Sequence, residues 1–391
     1  MSKAITNVPF FRHELRAGDA ERVAAVLETP FLTSGHVGQS VETQLCEYFG
    51  SKHALLTNSW TNGAVATFLA LGIGPGDEVI VPAMTFVATA NAAELVGATP
   101  VFVDVDPDTL LMMPELVEAA LTRMTRAIVP VHLYGQMVDM PALSTICRCQ
   151  DRKVWLLEDA AHCFEGKSGG YRPGAFSDAA LFSFYATKNV TCGEGGAIVT
   201  DNTELFDGVQ RTRNHGMSKG AIDRFRDGRY DSWDMEVLGM KANLPDVLAA
   251  LLPPQIETVD LRLPQRQLVA DRYRKAFSDG PLRLVKETPD SVSAEHLFTI
   301  GIPNGRRNEA IKMLNERGVG CTVNYEAVTS MTYYKRKYGF EALTFPNSTK
   351  WGTETLSLPL YPSIGEEDQN YVIDVVRNEL YPLAIGGSST R

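Results

Sequence analysis

The chain has 391 residues, 44% of them hydrophobic and 21% charged, which is typical of a globular protein and excludes a disordered or fibrous one. Its formal net charge of -10 gives no basic surface of the kind that binds nucleic acid. The N-terminal segment lacks the apolar core of a signal peptide, and no apolar run is long enough to span a bilayer. We therefore expect a cytoplasmic protein with neither a nucleic-acid nor a membrane partner.

Before residue 250, short β-rich apolar runs alternate with longer segments of mixed polarity. The runs are apolar on both faces, as in strands that helices cover on both sides. In chain order, the predicted strands are 53–58, 78–83, 99–105, 126–133, 153–159, 179–184 and 196–201. Helical patterns such as "TNGAVATFLALGIG" lie between them and end in glycine. This order predicts an α/β domain whose mostly parallel sheet is sandwiched between helices.

After residue 250 the pattern changes to a long charged helix, a strand, a second helix and a closing helix. We predict two units: residues 1–254, with the N-terminal segment and the large domain, and residues 255–391, a smaller α+β domain. The N-terminal segment is expected to pack with the smaller domain. The tail 385–391, "IGGSSTR", carries no folding signal and is expected to be disordered.

The six cysteines lack the paired spacing of zinc or redox motifs. Only Cys147 and Cys149 lie close together, in a helical pattern that puts residues two apart on different faces. We therefore predict free thiols and no metal site.

A lysine and an aspartate lie near the ends of two predicted strands. Asp159 ends the run "KVWLLED", and ligands of open α/β sheets bind at that carboxyl edge. Lys188 lies in "LFSFYATKNVTCGEGGAIVT", which predicts two strands joined by a tight connection that holds the side chain inside the domain. A buried lysine is costly unless it is paired or chemically used. An ion pair with Asp159 is one explanation. The other is a pyridoxal 5'-phosphate (PLP) site, where lysine bonds to the aldehyde and aspartate keeps the pyridinium nitrogen protonated.

A phosphate site is expected where the first predicted strand meets the next helix. Ser59, Thr61, Asn62 and Gly63 lie at this junction. Free backbone N–H groups and the helix dipole there would hold a phosphate dianion, and Thr61 would add a hydroxyl donor. Taken alone, the same residues describe a capped helix.

Two further side chains suit the cofactor ring. Phe86 follows a predicted strand and could stack on the pyridine, although a core phenylalanine gives the same pattern. His162 lies just beyond Asp159 and could contact the ring or its phenolic oxygen, although an isolated histidine there is more often a cap or core residue. The patterns "GIGPGD" and "GEGG" match neither a Rossmann fingerprint nor a Walker loop.

Six segments together resemble the DegT/DnrJ/EryC1/StrS aminotransferases, the sugar aminotransferases of fold type I. They are "VIVPAMTFVATANA", "LLEDAAH", "FSFYATKNVTCGEGGAIVT", "NHG", "ANLPD" and "LSLPLYP". The resemblance covers residues 8 to 385, and the block around Lys188 is its most specific part.

The resemblance implies a homodimer with PLP at the subunit interface, L-glutamate as the donor that becomes 2-oxoglutarate, and a keto-sugar nucleotide as the acceptor. Lys188 would be the Schiff-base lysine and proton shuttle, with Asp159 as the pyridinium partner. Asn243 in "ANLPD" matches an asparagine that reaches the phosphate from the other subunit. The implied cofactor-binding residues are Thr61, Asn62, Phe86, Asp159, His162, Ser183, Lys188 and Asn243.

Lys188 separates two chemistries within the family. Relatives with histidine in its place act as sugar 3-dehydratases and keep the cofactor as pyridoxamine phosphate (PMP), so the lysine favours transamination. The "KNVTCGEGG" block favours amination at C4 of a 4-keto-6-deoxyhexose over amination at C3, and the nucleotide stays open. Such a product suits amino-sugar biosynthesis for lipopolysaccharide or another surface polysaccharide, a glycan or a secondary metabolite.

Some positions depart from the family pattern or lack a clear role. Close relatives carry sugar-facing histidines where this chain has Asn324 and Thr329. The loop 216–239 is rich in Arg, Lys and aromatic residues, which suits a diphosphate and a base as well as a solvated loop. Thr33 and Ser34 are candidates for the substrate entrance.

Two other classes of protein are weighed against an aminotransferase. A non-catalytic binding module with the same fold would not need the intact Lys188 and Asp159. A nicotinamide-dependent sugar-nucleotide oxidoreductase would carry a GxGxxG motif after its first strand, and the sequence has none there.

Overall fold

The computed structural model describes residues 7–218, 225–226, 229–230, 232–341 and 343–386. The α-helices in these ranges are α1 (Ala17–Leu27), α2 (His36–Phe49), α3 (Trp60–Ala70), α4 (Ala88–Leu95), α5 (Pro114–Ala120), α6 (Met140–Arg148), α7 (Thr203–Thr212), α8 (Asp246–Ala249), α9 (Pro253–Phe277), α10 (Arg307–Glu316), α11 (Thr332–Tyr338), α12 (Pro346–Glu354), α13 (Glu366–Val375) and α14 (Tyr381–Ile385). The strands are β1 (His53–Thr57), β2 (Glu78–Pro82), β3 (Thr99–Val103), β4 (Thr125–Ile128), β5 (Trp155–Asp159), β6 (Lys167–Ser168), β7 (Ala179–Ser183), β8 (Gly196–Thr200), β9 (Phe225–Arg226), β10 (Arg229–Tyr230), β11 (Arg283–Leu284), β12 (Ser291–Val292), β13 (Phe298–Gly301) and β14 (Thr355–Leu358).

The large sheet contains every strand that was predicted before residue 250. Within the described ranges it has seven strands in the order β1-β8-β7-β5-β4-β2-β3. Only β8 runs antiparallel to its neighbours, β1 and β7, and the remaining pairs are parallel. The predicted α/β fold with a mostly parallel mixed sheet is therefore confirmed.

Helices cover both faces of this sheet, as the doubly apolar strands require. Leu181 of β7 lies in one buried cluster with Ala64 and Phe68 of α3. The next residue, Phe182, points to the opposite face and packs in a cluster with Leu45 of α2. The alternation along one strand thus supplies the core on both sides of the sheet.

A second, antiparallel sheet lies in the C-terminal part of the chain, in the order β11-β13-β14. Its core includes residues of α9, α10 and α13 and also Val8, which bridges to Val319. Tyr334 of α11, by contrast, packs in the core of the large sheet. The division of the chain at residue 254 stays a prediction.

Two local predictions need correction. The connection between β7 and β8 is not a tight turn but a loop of residues 184–195. This loop carries Lys188 and folds back on itself, with the N–H of Cys192 donating to the carbonyl oxygen of Phe184. The predicted strand 126–133 ends at Ile128, and the chain beyond it makes only a single bridge, from Val131 to Asp159. Residues 387–391 and most of 219–231 lie outside the described part. No helix in the described ranges is long and apolar enough to cross a membrane.

Candidate active site

A cavity of about 560 Å³ lies at the carboxyl end of the parallel strands. Strands β5 and β7 are neighbours, and their last residues, Asp159 and Ser183, both line the cavity. Phe86 reaches it from the loop after β2, and Lys188 from the loop after β7. The fold therefore brings together residues that are far apart in sequence, as open α/β sheets do at this edge.

Asp159 is held at the base of the cavity by two hydrogen bonds. Thr89 Oγ1 donates to its Oδ2 at 2.8 Å, and the N–H of Ala161 donates to its Oδ1 at 3.1 Å. The side chain is only 5% exposed, and burial raises the pKa of Asp159 to about 6, although these bonds and the charge of Lys188 oppose the rise. The two hydrogen bonds therefore fix the orientation of the carboxylate but compensate its negative charge only in part, which suits it to pair with a cationic ring nitrogen.

Lys188 is half-buried and faces the same cavity. No carboxylate in the described part of the chain lies within 4.0 Å of its ammonium group, so a plain ion pair with Asp159 does not account for it. Burial lowers the pKa of Lys188 to about 8, and the negative charge of Asp159 limits that shift. An amine with this pKa is partly neutral near pH 8 and can act as a nucleophile or a base.

One end of the cavity is built by the start of α3. Ser59 caps the helix and its Oγ accepts the N–H of Asn62 at 3.1 Å. The backbone N–H groups of Trp60 and Thr61 have no acceptor among the residues that the structure describes, and both residues line the cavity. Unsatisfied donors at a helix N-terminus fit a phosphate group. The side chain of Asn62 instead donates to Asn58, its N–H donates to Ser59, and the residue does not line the cavity.

Phe86 forms one wall, with 53% of its surface exposed. Its ring centroid lies 5.4 Å from that of Tyr325, which the sequence did not single out. An exposed aromatic side chain in a cavity gains buried area when a flat ligand covers it, which suits Phe86 to stack on a ring.

His162 also lines the cavity, and its hydrogen bonds define its tautomer. The N–H of Tyr134 donates to Nδ1 at 3.2 Å, so the ring proton is on Nε2, which lies 3.1 Å from the Tyr325 hydroxyl. Burial, together with the charge of Lys188, lowers the pKa of His162 well below its usual value. The histidine is therefore neutral and donates to Tyr325.

Several cavity residues were missed or left open by the sequence. Tyr325, Thr89 and His296 line it, and no local pattern identifies them, because each comes from a separate helix or loop. Asn324 also lines the cavity, and its Oδ1 accepts from Ser357 Oγ at 2.8 Å. Thr329 is buried and does not reach it.

Asn243 lies elsewhere, in a second cavity of about 430 Å³. Thr33 and Ser34 line the same cavity, and Asn243 Nδ2 donates to Ser34 Oγ. Its Oδ1 is buried without a partner among the described residues. Within one chain, therefore, these residues do not approach Lys188.

The fold and the cavity define a PLP-dependent aminotransferase of fold type I: a mixed sheet, a lysine and an aspartate at its carboxyl edge, and a helix N-terminus for the phosphate. A sequence profile of the DegT/DnrJ/EryC1/StrS aminotransferase family matches residues 13–377. The chain belongs to this family, and the predicted enzyme class and cofactor are confirmed.

The relatives cover nearly the whole chain. The chain is 38% identical over 369 residues to the spore coat polysaccharide biosynthesis protein SpsC of Bacillus subtilis (strain 168), spanning 92% of this chain and 94% of that protein. It is 26% identical to the PLP form of Spr1654 from Streptococcus pneumoniae, assigned as a sugar aminotransferase, with a TM-score of 0.88 over 97% of this chain and 99% of the other. DesV of S. venezuelae is 32% identical, with a TM-score of 0.86 over 95% and 98% of the two chains.

The donor set fits PLP in three respects. The unpaired N–H groups of Trp60 and Thr61 suit the phosphate, Phe86 suits the ring, and Asp159 suits the ring nitrogen. When bound, PLP supplies an aldehyde that takes up an amino group and a ring that withdraws electrons. The residues present would orient that ring and exclude water around the buried Asp159, and the Lys188 amine faces the same space.

Proposed function

We propose that this enzyme moves the amino group of L-glutamate to a keto-sugar nucleotide, most specifically to C4 of a nucleotide-linked 4-keto-6-deoxyhexose. The products are 2-oxoglutarate and an amino-sugar nucleotide for a surface polysaccharide, a glycan or a secondary metabolite. The names of SpsC and Spr1654 support a sugar acceptor and a polysaccharide pathway. The single observation that carries the chemistry is that Lys188 and Asp159, with opposite shifts in proton affinity, face one cavity.

Each site residue has a proposed role. Lys188 would hold the cofactor covalently and, once displaced by the amino donor, its amine would carry the proton to and from the reacting carbon of the substrate. Asp159 stays ionised beside the ring nitrogen, and Phe86 covers one face of the ring. His162 contacts the ring from the side of Tyr325. The groups proposed to bind the phosphate are those of Thr61, Asn62, Ser183 and Asn243.

The proposed working unit is a cytoplasmic homodimer. Asn243 supports this proposal because its cavity is separate from that of Lys188, so a contact with the cofactor phosphate would have to be made in a second subunit. An amide oxygen and a phosphate both accept, so we assign that contact to the Nδ2 of Asn243. The division into a large domain of residues 1–254 and a small domain of residues 255–391 is part of the same proposal.

Nitrogen tracing with defined keto sugars tests this function. The enzyme is incubated with PLP, 15N-labelled L-glutamate and, in separate reactions, 4-keto-6-deoxyhexoses and 3-keto sugars linked to UDP, GDP or dTDP. We expect 15N at C4 of one sugar nucleotide by NMR, together with an equal amount of 2-oxoglutarate. Label at C3 would move the assignment to a C3 aminotransferase, and ammonia release without an amino sugar would identify a dehydratase. If 15N from glutamate appears in none of the sugars tested, the proposed class of acceptor is wrong.

A further inference from the structure

Asn189, the residue after Lys188, has an amide whose orientation is fixed by its neighbours. Its Nδ2 lies 2.9 Å from Glu165 Oε1 and 2.9 Å from the carbonyl oxygen of Ala294. Both neighbours only accept hydrogen bonds, since Glu165 is a fully buried carboxylate paired with the Arg266 guanidinium. A flipped amide would set oxygen against two acceptors. The Oδ1 of Asn189 must therefore point the other way.

That oxygen defines the tautomer of His296. The Nδ1 of His296 lies 3.1 Å from Asn189 Oδ1. Because an amide oxygen accepts only, Nδ1 must carry the ring proton. In a neutral imidazole the other nitrogen, Nε2, is then an acceptor with a free lone pair. Burial and the nearby charge of Lys188 lower the pKa of His296 well below its usual value, so the ring is neutral.

His296 and Lys188 face the same space in the structure. His296 is 5% exposed and lines, together with Lys188, both the main cavity and a smaller one beneath it. Its ring centroid lies 4.4 Å from that of His162, but the Nε2 proton of His162 is already directed to Tyr325. No described residue donates to Nε2 of His296. Two further donor groups share both cavities with it, the Ser183 hydroxyl and the Lys188 amine, and the charge of Lys188 acts on the His296 ring.

We propose that His296 positions Lys188: its unprotonated Nε2 accepts a hydrogen bond from the free ε-amino group of Lys188 when that side chain turns toward the ring, a contact that is open in this structure, where the two groups share a cavity without bonding. An amine that donates one N–H to His296 keeps its own lone pair free and directed into the cavity. The series of polar contacts from Arg266 to Glu165, Asn189 and His296 holds the imidazole in the tautomer whose Nε2 accepts a hydrogen bond. This inference rests on the proposed role of Lys188, and it assigns to His296 a role that no sequence motif indicated.

The tautomer is the first test, and it needs neither turnover nor a variant that folds poorly. The chain has seven histidines, so a two-bond 1H–15N spectrum of cofactor-free protein labelled with 15N-histidine contains only seven imidazole rings to assign. We expect the His296 signals of an Nδ1–H ring, with an Nε2 shift that moves in Lys188→Ala. A proton on Nε2 would overturn the proposal, since that nitrogen could not then accept.

Two variants separate the two ring nitrogens. His296→Asn keeps a donor in the place of Nδ1 for Asn189 but removes Nε2, whereas His296→Gln places an amide oxygen where Nε2 was. Competitive acetylation, read by mass spectrometry of the Lys188 peptide in cofactor-free protein, gives the proton affinity of this amine. Since the lost bond stabilises the ammonium form, we expect His296→Asn to reduce that affinity about tenfold, or about one pKa unit, and His296→Gln to restore most of it.

The same variants have a kinetic signature. We expect the rate constant of the glutamate half-reaction to fall about tenfold to a hundredfold in His296→Asn, with little change in glutamate affinity. An unchanged Lys188 proton affinity in His296→Asn would reduce His296 to a packing residue, whatever the activity. Failure of the proposed function itself would look different: wild-type protein would show no glutamate half-reaction at all, while the tautomer and the acetylation profile would still be measurable.

Discussion

Thr89 donates a hydrogen bond to Asp159 across 2.8 Å, joining the first turn of α4 to the last residue of β5. Both side chains are buried. The bond stabilises the carboxylate over the carboxylic acid, so it opposes the desolvation that raises the pKa of Asp159 to about 6. A helix that packs on the sheet thereby keeps the proposed ring partner ionised near neutral pH.

Removing this hydrogen bond should move the acid side of the pH–rate profile. In Thr89→Val we expect the acid limb of kcat/KM for glutamate to shift to higher pH by about half a unit to one unit, because the carboxylate loses a charge-assisted bond. Thr89→Ser keeps the hydroxyl and is the matched control. An acid limb that is identical in Thr89→Val and wild type would show that Asp159 does not control it.

Asp159 should cost stability in the cofactor-free protein. Its folded pKa, about 6, is above the usual value of 3.8, so the folded state binds more protons between these limits and stability falls as pH rises through them. Asp159→Asn should therefore be more stable than wild type above pH 6, by at most about 3 kcal/mol, with no difference near pH 4. Urea unfolding at both pH values measures this. A variant that is less stable than wild type at pH 8 would contradict the sign. Its activity should fall at least about a hundredfold.

Lys188→Ala should lose turnover by about a thousandfold or more while keeping its fold, because the variant has neither the covalent attachment point nor the base. Circular dichroism and the rate of 15N transfer measure the two properties. Lys167→Ala removes a lysine outside the cavity and should behave as wild type. Comparable turnover in the two variants would remove Lys188 from the mechanism.

Mixing two inactive variants tests the proposed contribution of Asn243 across the dimer. Asn243→Ala should weaken PLP binding, and at limiting PLP it should be inactive alone. If Asn243 serves the partner's site, a heterodimer of Lys188→Ala and Asn243→Ala chains contains one site with both native residues, so activity returns on mixing. If a mixture shown to contain heterodimers recovers no activity, Asn243 does not act in the partner's Lys188 site, and the proposed contact across the dimer is wrong.

Much of the fold followed from local pattern. The strands were readable because each is apolar on both faces, and Asp159 and Lys188 were readable because charged residues at such strand ends are costly. The path of the loop from β7 to β8 could not be predicted in this way, because it depends on hydrogen bonds such as that from Cys192 to Phe184 and not on a turn motif. The bond from the Asn62 side chain to Asn58 likewise could not be predicted from residue type, and its phosphate contact stays a prediction.

The residues missed at the site are those whose role depends on tertiary contacts. His296 lies in a segment whose pattern predicts a strand. That its Nε2 is free follows only from its contact with the amide of Asn189, which the carboxylate of Glu165 orients. Tyr325 enters the cavity from the C-terminal half of the chain and meets His162 through folding alone. Residue type and spacing cannot specify such hydrogen-bond directions, because they are set by neighbours distant in sequence.

Borohydride trapping tests the central claim that Lys188 carries the cofactor and gives it up to glutamate. The PLP-loaded protein is reduced with and without prior addition of L-glutamate, with D-glutamate as the control, and the cofactor is located by tandem mass spectrometry. We predict a pyridoxyl group on Lys188 without glutamate, its loss after L-glutamate and its retention after D-glutamate. A pyridoxyl group on another lysine, or an unmodified Lys188 in protein that has bound PLP, would contradict the account.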